Sequence, residues 1–240
     1  MTVIEWLLDA DPAIRWQVMR DLTDAEPEEV AAERARVAFE GWGAQLLALQ
    51  GANGNGLALA NGAYFGESVD GIVERLLGDE LDDGGWNCWA EFGARVSSFH
   101  TTICVLEGLL EWERAEGSSE AVAAARRRGE EYLLERGLYH RRSTGQVIDP
   151  RFTMFSFPTR WYYDVLRGLD YFRSTGGAPD GRCAEAIALV ADKRDEEGRW
   201  LLESTHQGPT HFDMEGPDGF PSRWNTLRAL RVLRWADSFH

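Results

Sequence analysis

Three cysteines in 240 residues, Cys88, Cys104 and Cys183, are too few and too scattered for a disulfide framework. A reducing cytoplasm is the expected compartment. No apolar run approaches the length of a membrane-spanning helix. The N-terminus, Met1-Thr2-Val3-Ile4-Glu5-Trp6, has no basic region ahead of a long apolar stretch, so no signal peptide is expected. Positive charge is scarce too: 25 Lys and Arg against 40 Asp and Glu leave a net charge of −15. Such a chain repels phosphate backbones, so nucleic acid is not an expected partner, and solubility is the plain reading of the acidity. Convincing strand pairs are also missing.

Large aromatics, by contrast, are plentiful. The chain has 10 Trp, and these fill a wide core or line an apolar cavity. Helical spacing dominates. Residues 3–24 read as two short helices, with Asp11 as N-cap and Pro12 at the first position of the second. Glu26-Pro27 starts a third, Gly41-Trp42-Gly43 interrupts it, and Ala44–Gln50 resumes. Gly51–Gly56 is a break, and Leu57–Phe65 reads as a short buried helix. Val69–Leu77 is amphipathic. Residues 98–115 form an apolar, inner-type helix, and 119–136 an outer one whose Arg126-Arg127-Arg128 triplet reads as a solvated face. After a loop at 137–155, Pro158 opens an inner helix over Thr159–Phe172. Pro179–Lys193 is outer, Asp195–Pro221 is a loop, and 222–236 is inner.

These helices repeat. Val105-Leu106-Glu107-Gly108-Leu109 matches Val165-Leu166-Arg167-Gly168-Leu169, and Thr226-Leu227-Arg228-Ala229-Leu230 follows about sixty residues on. The turn Asp82-Asp83-Gly84-Gly85-Trp86 has a weaker copy in Asp195-Glu196-Glu197-Gly198-Arg199-Trp200. The fold class expected is therefore all-α: a single domain over 1–240, with N-terminal helices at 1–50 and helical-hairpin repeats over 57–240.

At this point the motifs resemble a family. Trp6-Leu7-Leu8-Asp9, Pro12-Ala13-Ile14-Arg15-Trp16, Asp83-Gly84-Gly85-Trp86-Asn87-Cys88, Ser98-Phe99-His100-Thr101-Thr102, Phe157-Pro158-Thr159-Arg160-Trp161 and Ser222-Arg223-Trp224-Asn225-Thr226 are similar to bacterial squalene-cyclase-like and prenyltransferase-like proteins. Those belong to the terpenoid cyclase and protein prenyltransferase superfamily, with the α/α toroid fold. The direct join at Gly51–Gly56 omits sequence that such proteins carry. The resemblance therefore implies a partial or small toroid of about four hairpins. An open ring would leave apolar helices for a second copy to cover, as a homodimer.

The resemblance also directs attention to residues. Class II cyclases use an Asp-x-Asp-Asp acid and class I enzymes use Asp-rich magnesium motifs; neither occurs here, which argues against ordinary polycyclisation. Phe99-His100-Thr101 resembles the zinc-binding His run of the prenyltransferase β subunits. A substitute metal set would be Cys88, His100 and His211, with Asp213 as a carboxylate. The plain alternative is a packed thiol and a hydrogen-bonded imidazole, with no cofactor. His100, Asp82, Asp83 and Asp213 are the candidates for polar chemistry. Arg160 and Arg223 would hold an anion such as a diphosphate, and Trp161, Tyr162 and Trp224 would form the apolar wall. Alternatively, both arginines pair with acidic loops. Three functions follow: a cyclase- or prenyltransferase-like enzyme with an isoprenoid or similar hydrophobic substrate in an apolar cavity, a non-catalytic module binding such a molecule, or a protein-interaction module.

Overall fold

Polar side chains ahead of apolar runs set where the helices begin. The computed structural model describes residues 1–48, 70–117, 119–208 and 212–239, and these are all-α apart from one short strand pair and two isolated bridges. Thr2 caps α1 (Val3–Leu8) and Asp11 caps α2 (Pro12–Leu22). Then come α3 (Pro27–Arg36) and α4 (Gly41–Ala48). The Gly41-Trp42-Gly43 segment opens α4 instead of interrupting a helix, because Trp42 N–H donates to Asp11 Oδ2 at 2.7 Å. The remaining helices are α5 (Asp70–Gly78), α6 (Phe99–Glu116), α7 (Glu120–Leu134), α8 (Val165–Ser174), α9 (Ala184–Asp192) and α10 (Arg223–Asp237). The helix expected over Leu57–Phe65 lies outside the described residues. No helix among the described residues is long and apolar enough to cross a membrane.

Further sequence expectations need correction. The helix expected from Thr159 starts only at Val165, because Asp164 accepts from Arg167 N–H at 2.8 Å and caps it there. The segment before it is irregular and holds a cis Phe157–Pro158 bond. A strand pair also exists: β1 (Trp200–Leu201) runs antiparallel to β2 (Pro221–Ser222).

Helices α6, α8, α10 and α2 stand around one cavity. On their other side α7 packs on α6, and α9 on α8 and α10, while α5 leans on α7. The main core lies between these layers, around Ile103, Leu106, Leu109, Leu133, Leu166 and Leu169. Each such side chain contributes about 1.5–3 kcal/mol by leaving water. A second cluster, Leu7, Ala10, Ile14, Val18 and Leu227, fastens α1 and α2 to α10, and Leu230 touches both clusters.

The two Gly–Trp turns are copies in geometry as well as in sequence. Trp86 N–H donates to Thr102 Oγ1 at 3.1 Å, and its indole donates to Leu76 O at 2.7 Å. Trp200 N–H donates to Thr226 Oγ1 at 3.0 Å, and its indole to Val190 O at 2.7 Å. Gly84 and Gly198, each two residues before its Trp, have φ of 88° and 78°. Only glycine takes that conformation without steric cost. Each turn thus pins the end of one outer helix to the start of the next inner helix.

The layers sit close. A Cβ on Gly129 of α7 would lie 2.7 Å from Trp86 Cζ3 and 2.9 Å from Leu106 Cδ2. Alanine is otherwise the better helix former by about 1 kcal/mol. Overpacking costs about 1–3 kcal/mol, so Gly129→Ala is expected to lower the urea midpoint and Gly129→Val to lower it further. A raised midpoint for Gly129→Ala would contradict this packing. The neighbouring arginine triplet is not uniformly solvated. Arg127 and Arg128 are exposed, but Arg126 is largely covered and bonds Glu113, Glu130 and Tyr171.

Candidate functional site

A cleft of about 500 Å³ opens between the loop after Trp86, the first turns of α6 and the segment before α8. Trp89 and Trp161 flank it, 66% and 56% exposed. Cys88, His100, Thr101 and Cys104 contribute to its lining. None of the described residues that line it is Asp, Glu, Lys or Arg.

Tyr163 N–H donates to His100 Nδ1 at 2.8 Å. The ring is further held by the edges of Phe152 and Trp161, each with centroids at 5.4 Å, and of Tyr162 at 5.7 Å. Burial, reinforced by Arg151, pushes the imidazole below its ordinary pKa and keeps it neutral. A neutral imidazole carries one proton, and with Nδ1 accepting, that proton sits on Nε2. His100 therefore offers the cleft a hydrogen-bond donor. Beside it, burial raises the pKa of the Cys104 thiol, so this sulfur stays protonated.

Tyr162 is stacked between Trp161 and His206, with centroids at 3.8 Å on each side. Ser156 Oγ donates to Asp164 Oδ2 at 2.8 Å and lies 3.1 Å from His206 Nε2. The serine proton is taken by Asp164, so His206 must donate through Nε2. Asp164 thereby orders both α8 and the aromatic stack.

The other expected residues are scattered. Asp83 accepts from Ser97 N–H and Oγ–H, which fixes the loop ahead of α6, and Asp82 is exposed on the turn. Asp213 is exposed and lines a different pocket, with His206 and Glu215. Arg160 donates to Gln207 O at 3.1 Å and Gly208 O at 3.0 Å, holding the 204–208 loop. Arg223 lies over the Trp6 ring, 3.8 Å from Asp9. Neither arginine is placed for a ligand in the cleft. Trp224 stacks on Phe157 at 4.7 Å and lines the cavity between α2, α6, α8 and α10.

His211 lies outside the described residues. Among the described residues, no group of three His, Cys, Asp or Glu side chains could hold a metal. Cys88 and His100 do share the cleft, but a metal on His100 Nε2 would displace the ring's one proton while Tyr163 N–H still faces Nδ1. The described part of the expected set does not fit zinc.

The cavity itself is charged. It measures about 330 Å³, and Glu107, Arg167 and Arg228, the third residue of each repeated pentapeptide, all line it. Arg167 bonds Glu107 through Nε at 2.8 Å and Nη2 at 2.5 Å, and Nη2 reaches Cys104 Sγ at 3.5 Å. This layer divides the charged cavity from the neutral cleft. Sequence reasoning missed these residues as a site. The signal was charge recurring at helical spacing along one face of each helix: Glu107, Glu111 and Arg114 in α6, and Arg228 and Arg231 in α10.

No protein-family model matches the chain, and neither a curated protein nor a solved structure matches it.

Proposed function

We propose that the chain is a partial α/α toroid that binds an uncharged, apolar small molecule of isoprenoid type in the Trp89–Trp161 cleft. The toroid reading is supported by the duplicated Gly–Trp turn and by the equivalent repeat positions that line one cavity. The binding reading rests on one observation above all. Two exposed tryptophans flank a cleft with no charged side chain in its described lining, and the ring at its wall is neutral. Water leaves such a surface readily, and the Nε2–H of His100, one of several uncharged polar groups in the lining, orients one hydroxyl or carbonyl of the guest. Binding is favoured over cyclase chemistry because no described carboxylic acid lines the cleft to protonate an alkene.

Farnesol is a suitable probe. Its titration is expected to quench tryptophan fluorescence saturably. Trp161→Ala and Trp89→Ala each remove a large contact surface and should weaken binding about tenfold or more. His100→Phe keeps the ring but loses the donor and should cost about fivefold. A linear response, or one unchanged in both tryptophan variants, would sink the reading.

A further inference from the structure

The charged cavity has donors left over. Four arginines line it; Arg167 is fully engaged, and Arg114 is half-exposed and bonded at both terminal nitrogens. Arg167 bonds Glu107, Cys104 and the carbonyls of Arg160 and Tyr162, and Arg114 bonds Glu111 and Ser174 O. The other two differ. Arg231, 6% exposed, reaches Gln17 and Asp21 through Nη2, but its buried Nε–H has no acceptor. Arg228, 7% exposed, makes one hydrogen bond among the described residues, 3.3 Å to Ser156 O. Its carboxylate neighbours stand off, Asp170 at 3.7 Å and Asp164 at 4.0 Å. Asp170 is itself bonded to Arg173 at 2.8 Å. Trp224, one turn before Arg228 on the same helix, also carries a buried indole N–H with no acceptor.

Buried donors without partners are costly, about 1–3 kcal/mol for each group left unsatisfied. Two such donors, Trp224 Nε1–H and Arg231 Nε–H, and the weakly bonded guanidinium of Arg228 lie on one helix, and positions 224, 228 and 231 share a face at i, i+4 and i+7. All three line the same 330 Å³ space. The chain as a whole, at −15, repels anions, so an anion held there would owe its place to this local cluster. We infer that the cavity between α2, α6, α8 and α10 is an oxyanion site. It takes a carboxylate or phosphate group on Trp224 Nε1–H and the guanidinium groups of Arg228 and Arg231. The site does not depend on the apolar cleft, which lies on the far side of the Arg167–Cys104 layer.

Acetate and inorganic phosphate, titrated separately against ¹⁵N-labelled full-length protein at constant ionic strength, test it. The indole signal that Trp224→Phe abolishes identifies Trp224. This signal and the Arg231 Nε–H signal are expected to move saturably with acetate, phosphate or both, and not with chloride. Which oxyanion saturates identifies the group. Trp224→Phe preserves the ring stack and removes one donor, so affinity read at Arg231 should fall about fivefold. Arg228→Gln should weaken it tenfold or more. Because Arg228→Gln also disturbs Asp164, the Trp224→Phe result decides. Linear shifts, equal shifts with chloride, or unchanged affinity in Trp224→Phe would overturn the site. Farnesol binding that persists in that case would leave the cleft reading standing.

Discussion

Trp200→Ala is expected to lower the free energy of unfolding by about 3–5 kcal/mol, and Trp86→Ala by a similar amount. Both rings are buried, with 0% and 1% exposure, in the core between the inner and outer layers. Truncation removes the largest side chain of each turn and leaves a cavity that two rigid helices cannot close. It also strands a carbonyl near the end of an outer helix, Val190 O in one case and Leu76 O in the other. Replacement by Phe fills most of the volume but strands the same carbonyl, and about 1–2 kcal/mol should be lost. Urea denaturation of the four variants measures both the cost and the symmetry. Equal losses at the two tryptophans are what duplicated structure requires. A severe loss at Trp200 with a mild one at Trp86 would mean that the two turns are alike in shape but not in role.

Those turns were legible because the information is local. A positive-φ glycine two residues before a tryptophan, followed by a helix with a threonine in its first turns, recurs in one dimension. The cleft was partly legible for the same reason, since Cys88, His100 and Trp161 were singled out and do line it together. The rest depends on long-range contacts. Whether Arg160 serves a ligand or a loop is decided by the carbonyls of Gln207 and Gly208, forty-seven and forty-eight residues away. Asp83 looked chemical because it is acidic and adjacent to a glycine pair, yet its partner is Ser97. The cavity arginines were hidden differently. In α10 the polar stripe Trp224, Arg228 and Arg231 faces the cavity, while Leu227 and Val232 are buried among apolar residues. A helix read only for its apolar side looks inner; which side meets the cavity depends on the neighbours. The start of α8 was misjudged because Pro158 is a good helix opener in isolation, and Asp164 wins only once Ser156 and Arg228 are near it.

Asp164→Ala is the second large effect expected, about 3–5 kcal/mol of stability. The carboxylate is 1% exposed and accepts from Ser156 N–H at 3.2 Å, Ser156 Oγ–H at 2.8 Å and Arg167 N–H at 2.8 Å. Removing it uncaps α8, frees the Ser156 hydroxyl and leaves the nearly buried Arg228 facing Asp170 alone. Three hydrogen bonds are lost and Arg228 keeps one carboxylate neighbour instead of two, and the charge should dominate. The double variant Asp164→Ala/Arg228→Met separates them. If the stranded guanidinium carries most of the cost, the double variant recovers about half of what Asp164→Ala loses. Asp164→Asn keeps an acceptor for the Arg167 cap and should lose only about 1–2 kcal/mol. The same series reaches the cleft through Ser156, which holds His206 against Tyr162 and so keeps Trp161 in its stack. Farnesol affinity should therefore fall in Asp164→Ala even where the protein remains folded, and hold in Asp164→Asn. Full affinity in folded Asp164→Ala would mean that Trp161 keeps its place without His206, supported by His100 and Tyr162 alone.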